Sequence, residues 1–119
     1  MNDSILITVK KLIGLAEDDA SFDEDLLVHI NSVLLVLTQL GIGVSTGFDL
    51  QDDSASWEDL LGPDCDPEVF RSVKSYITLK VRKIFDPPQN GTVMQAIDSA
   101  INELEWRLNV QVDPKTDTN

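Results

Sequence analysis

One histidine, His29, and one cysteine, Cys65, limit the nucleophile and base chemistry this chain can perform. A serine–histidine or cysteine–histidine pair must lie within hydrogen-bond reach, with a third group to orient the base. His29 stands among apolar residues in a helical stretch, which suits a satisfied or surface histidine better than a base. Asp19, Ser21 and Asp23 have the opening spacing of a calcium loop, yet Glu24 occupies its glycine position and Ile30 its final acidic position. Acids gathered at a helix N-terminus account for the same residues more simply. Gly41-Ile42-Gly43 leads into loop and not into a lysine and a helix, so it is no phosphate cradle. A single thiol provides neither a disulfide framework nor a zinc-ligand set. The expectation is a protein with no metal, no cofactor and no catalytic constellation.

The remaining acids act through their number. Twenty-one acidic against nine basic residues give a formal charge of −12. Such a surface repels phosphate, which argues against nucleic-acid affinity through counterion release. It does allow DNA to slide past without sticking. The length, 119 residues, suits one domain, and 42% hydrophobic residues can form a core without staples. The longest strongly apolar run, Val33 to Leu37, is far short of the about 18 residues a bilayer span needs. Met1-Asn2-Asp3-Ser4 is acidic and polar, unlike the start of a signal peptide, so no membrane or secretory role is expected. A lone thiol suits a reducing compartment.

Hydrophobic periodicity predicts an all-α fold: a small four-helix domain with a long irregular loop between its second and third helices. The first helix runs from about Ser4 to Leu15, with Ile5, Val9, Leu12 and Ile13 on one face. Ser21-Phe22-Asp23-Glu24 reads as a capping box opening the second. Leu26, Leu27, Ile30, Val33, Leu34, Leu37 and Leu40 form its core face, and Gly41 stops it. Residues 41–66 are the irregular segment. Within it Phe48 and Leu50 alternate as in a short strand, and Ser56 to Leu61 reads as one capped turn. Two readings of Trp57, Leu60 and Leu61 stay open: an interaction loop, or a plug for the end of the bundle. Asp66-Pro67-Glu68 caps the third helix, whose core face is Phe70, Val73, Ile77, Val81 and Ile84, and Asp86-Pro87-Pro88 ends it. Thr92 to Gln95 reads as a capping box for the fourth, whose core face is Val93, Ile97, Ala100, Ile101, Leu104 and Leu108. From Asn109 the chain turns polar, so the domain is assigned to residues 1–110 and a flexible tail to 111–119.

Placing residues at about 100° per position reveals apolar side chains off the core faces. Trp106 falls about 180° from Ile97, Val28 and Leu35 about 140–160° from Ile30, and Leu79 about 180° from Phe70. A central helix contacted all round absorbs some of these, but not every set in so small a domain. Val28, Leu35, Leu79 and Trp106 are therefore interface candidates, joined by Phe48, Leu50 and Trp57 of the loop. The third helix carries Arg71, Lys74, Lys80, Arg82 and Lys83 with no acid among them. They do not converge into one stripe, which disfavours nucleic acid and favours charge pairs between subunits, a solvated face being the alternative.

The run Ser75-Tyr-Ile-Thr-Leu-Lys-Val-Arg-Lys-Ile-Phe-Asp-Pro-Pro88 resembles the head–tail connector (head-completion, or adaptor) proteins of tailed bacteriophages. So do Ile101-Asn-Glu-Leu-Glu-Trp-Arg-Leu-Asn-Val110 and the segments Glu17-Asp18-Asp19, Phe22-Asp23 and His29-Ile30-Asn31. No single motif is diagnostic; the order of the segments carries the match. The resemblance implies a helical protomer that forms a ring, typically a dodecamer, in the virion at the head–tail interface after assembly in host cytoplasm. Its partners would be copies of itself, the portal protein, and a stopper or tail-completion protein. DNA would pass through without specific binding. Asp18, Asp19, Asp23, Asp52 and Asp53 are then candidates for the acids lining the channel. The competing reading is a small acidic DNA mimic that inhibits a nucleic-acid enzyme, and the second apolar faces are what such a mimic has no need of.

Overall fold

Ser4, Asp66 and Asn90 each end a stretch of irregular backbone by offering a side-chain oxygen to the free amides of a new helix. The computed structural model describes residues 3–42 and 48–111, and their regular structure is helical. The elements are α1 (Ile5–Leu12), α2 (Asp23–Gln39), α3 (Trp57–Leu61), α4 (Pro67–Phe85) and α5 (Gly91–Gln111). The four longer helices are those the periodicity predicts, and α3 is the capped turn inside the loop. There the Ser56 hydroxyl accepts from the Asp59 amide at 3.2 Å, and the Asp59 carboxylate accepts from the Ser56 amide at 2.9 Å.

Helix ends follow chemistry that the sequence reading places correctly in some cases and not in others. Gly41 adopts φ 91°, the Gly41 amide donates to the Thr38 carbonyl and the Ile42 amide to that of Leu37. This is a Schellman stop, closed by buried Ile42. Asp66 caps α4, and Pro67 takes its first position. The Ser21 capping box does not form. Phe22 is the N-cap of α2 and its ring has no oxygen to offer a free amide, while the Ser21 amide that the box would give to Glu24 donates to Asp19 Oδ1 at 3.0 Å. The Thr92 box is likewise replaced. Asn90 Oδ1 accepts from the amides of Thr92 and Val93 at 2.8 and 3.2 Å, so the cap falls two residues earlier and α5 begins at Gly91. At its other end α5 runs on through Asn109 to Gln111, carried by fully buried Leu108. Residues 112–119 of the expected tail, and Gly43 and Gly47 of the loop, lie outside the described residues.

Helix α4 is the central element. It packs against α5 and α2 and touches α1. Its Val73, Tyr76, Ile77 and Val81 are buried with Leu26, Ile30, Val33, Leu34 and Leu37 of α2. Three expected core residues are on the surface instead: Leu12, 54% exposed, Ile84, 52% exposed, and Val93, 41% exposed. Each lies in an end turn of its helix, the last for Leu12 and Ile84 and the first for Val93, where the neighbouring helix no longer covers the face, and Phe85 takes the inward position beside Phe22 at 5.1 Å.

No strand forms at Phe48–Leu50. Leu50 pairs instead with one side chain: its amide donates to Asn31 Oδ1 at 2.7 Å, and its carbonyl accepts from Asn31 Nδ2 at 3.0 Å. The loop is fixed again further on, where the Ile5 amide donates to the Ala55 carbonyl and the Trp57 amide to the Asp3 carbonyl. This isolated antiparallel bridge, Ser4 to Ser56, fastens the chain's start to the turn before α3.

Candidate interaction surface

Helical register decides which side chains α2 and α5 turn away from the core. Glu24, Asp25, Val28, Ser32, Leu35 and Gln39 are all exposed along the outer side of α2, opposite Leu26, Ile30 and Leu37. Val28 and Leu35 are each 60% exposed, and Trp106 on α5 is 66% exposed with Val110 one turn beyond it. A tryptophan and two aliphatic residues left in water forgo roughly 1.5–3 kcal/mol each of the burial they offer a partner.

The other interface candidates are placed differently. Leu50 and Trp57 are core residues, 2% and 1% exposed, and cannot serve as surface anchors. Trp57 closes the bundle end: its ring stands edge-on to Phe70 at 5.7 Å, and its Nε1 donates to Thr8 Oγ1 at 3.1 Å. The plug reading therefore describes Trp57, with Leu60 buried beside it. Leu79 is half-buried, since α5 and α1 flank it more closely than a count of degrees conveys. Phe48, also half-buried, faces Leu35 across a hollow of ≈ 340 Å³ that Asn31, Thr38 and Asp49 complete.

The cations of α4 divide. Lys83 is held within the protomer by Asp98, 2.6 Å away, and is no longer a ready inter-subunit partner. Lys74 lies over the Phe70 ring at 5.0 Å and Lys80 over Tyr76 at 5.8 Å. Arg71, Lys74, Lys80 and Arg82 have no carboxylate within ion-pair distance among the described residues. They are the uncompensated positive charge of the described surface.

Several of the acids have local tasks. Asp23 Oδ1 lies 2.9 Å from the ammonium of Lys10, an ion pair by distance whose angle falls outside hydrogen-bond geometry. Lys10 itself is 2% exposed, and its ammonium also donates to the Glu17 carbonyl at 2.9 Å. The Ser21 amide, then its hydroxyl, holds the Asp19 carboxyl below the usual carboxylate value. Ser54 does the same for Asp52, through its hydroxyl first and its amide second. Asp18 and Asp53 are exposed. Of the five acids proposed for a channel wall, Asp23 is thus engaged in holding α1 to α2.

Catalytic candidates gain nothing from the fold. Burial first, and the charge of Asp66 second, push the Cys65 thiol up, away from the thiolate a nucleophile needs. His29 is half-buried, and no three His, Cys, Asp or Glu side chains converge among the described residues. Sequence reasoning missed Lys10 and Asn31. Neither breaks a helical pattern, and only the three-dimensional neighbourhood shows what they hold.

What the geometry defines is a small helical module with apolar and charged faces left outward, the form of a protein that works by contact. The chain matches the family model described as phage connector protein over residues 5–115, and it belongs to that family. No curated protein and no solved structure shows significant similarity to it. The family is one of structural phage proteins, and its members associate with other virion components. The resemblance drawn from the segment order is thereby shown, as is the all-helical fold.

Proposed function

We propose that this chain is a structural virion protein, a subunit of a ring that joins the portal of the head to the tail and forms part of the DNA channel. The observation that carries the reading is the set of exposed apolar residues Val28, Leu35 and Trp106 on an acidic domain of the connector family. Apolar surface is what an assembling subunit needs. A DNA mimic needs only ordered carboxylates. In this reading the chain meets copies of itself, the portal on one side and a stopper or tail-completion protein on the other, and it performs no catalysis. The charge of −12 serves a conduit, because a negative wall does not trap a negative polymer. Asp18, Asp52 and Asp53 are the acids best placed to contribute to such a wall, being exposed and unpaired with any cation among the described residues.

The test is addition of purified chain to heads that lack tails. Binding at one vertex and recovery of tail attachment are expected, read by electron microscopy and infectivity. Heads that neither bind the chain nor regain tails would sink the assignment.

A further inference from the structure

The side of α4 facing away from α2 is a groove with an apolar floor, and its central part has basic edges. Its central part, ≈ 370 Å³, is lined by Leu12, Lys74, Ser75, Thr78, Leu79 and Arg82. It continues along α5 past Leu104, where Arg107 is paired with Glu103, and at the N-terminal end of α4 Arg71 stands beside Glu68, so the unpaired positive charge is concentrated in the central part. Three of the four cations left without a carboxylate therefore border this groove, and Leu12 at its wall is one of the chain's exposed aliphatic residues.

On the other side of the helix pair, the exposed ridge of α2 carries Val28 and Leu35 seven residues apart, hence on one line along the helix, with Glu24 and Asp25 at its N-terminal end. Neither acid has a cation within ion-pair distance among the described residues. The ridge thus offers two aliphatic knobs and two free negative charges, and the groove offers an aliphatic floor and free positive ones. Helical register puts each surface on the side of its helix opposite the shared core. A protomer consequently cannot satisfy its own groove with its own ridge, whereas a second copy can.

The geometry points to a head-to-tail interface in which the α2 ridge of one copy seats in the α4 groove of the next. This inference rests on the ring reading above and assigns the contact that would build the ring. An interface between two different patches repeats, and it closes into a ring when the rotation per step permits. Lys74 and Arg82 meet Glu24 and Asp25 of the neighbour, while Val28 and Leu35 cover Leu12 and Leu79.

The test uses two charge-reversed full-length chains, K74E/R82E and E24K/D25K, with molar mass followed by light scattering across concentration and incorporation followed on tailless heads. Each variant melts as a helical domain but associates on the order of tenfold or more weakly than the parent, because its ridge and groove now carry like charge. Mixed one to one, they regain the parental mass, since each ridge again faces an opposite groove. Variants that assemble alone like the parent, or a mixture that stays monomeric, overturn the pairing. So does loss of assembly on removing residues 112–119 alone, which gives the groove to the chain's own end. Binding of duplex DNA by the parent that K74E/R82E abolishes also overturns it. If both variants still join heads normally, the pairing falls while the virion role stands. If the parent never joins heads, that role falls by itself.

Discussion

Asn31 holds Leu50 by both of its backbone groups, accepting from the amide at 2.7 Å and donating to the carbonyl at 3.0 Å. One amide side chain on α2 thereby does for the loop what a neighbouring strand does in a sheet. Two net hydrogen bonds of about 1 kcal/mol each put the cost of Asn31→Ala at about 1–2 kcal/mol. Asn31→Asp costs more, because a second carboxylate oxygen replaces the donor facing the Leu50 carbonyl. Urea midpoints rank the variants, and hydrogen exchange at the Leu50 amide accelerates in both. Protection equal to the parent's would show that the clamp is incidental.

Lys10 and Asp23 make an unequal pair, the ammonium buried and the carboxylate about a third exposed. Asp23→Ala leaves a buried charge with one carbonyl partner, a loss of about 2 kcal/mol, below the 3–5 typical of fully buried pairs. Lys10→Met keeps the apolar stem and removes the charge, so it destabilises less. Thermal melts of the two variants at neutral pH test that order, and the reverse order contradicts it.

Tyr76 is fully buried, and its hydroxyl donates to Glu105 Oε2 at 2.7 Å, joining α4 to α5. Burial first, then the Glu105 bond and charge, raise the phenol above its usual range. The neutral phenol is favoured in the folded state, so its contribution is intact below about pH 10, the unfolded value, and declines as pH rises further. Stability measured from pH 9 to 11 falls more steeply in the parent than in Tyr76→Phe. Parallel slopes would remove Tyr76 from the alkaline transition.

Trp106→Glu and Leu35→Asp alter side chains that the protomer leaves in water. Each keeps folding stability within about 0.5 kcal/mol of the parent, as substitutions outside the core commonly do. Both lose association and incorporation into particles. Normal incorporation of both would take the interface away from these faces.

The helices were legible because their signals are local. Apolar spacing located the longer elements, and Gly41 and Asp66-Pro67 set boundaries that the backbone obeys. Ser21 and Thr92 misled because a nearby Asp19 or Asn90 competes for the same amides, and a sequence does not say which acceptor wins. The outward placement of Val28, Leu35 and Trp106 followed from angle alone. Leu50 and Trp57 did not, since loop residues have no period and their burial depends on Asn31 and Thr8, distant in sequence. The groove was invisible for a related reason: it is made by three helices, and each contributes one unremarkable edge.

The double fastening of the long loop divides it into spans of different tolerance. Asn31 pins it at Leu50 and the chain's start pins it at Ala55 and Trp57, so residues 51–54 hang between two anchors and are all exposed. Lengthening that stretch disturbs no buried group, and each doubling of its length adds only about 0.6 kcal/mol of closure entropy. A peptide tag or fluorophore spliced there would report which side of the assembly carries Asp52 and Asp53, an access port that leaves ridge, groove and core untouched.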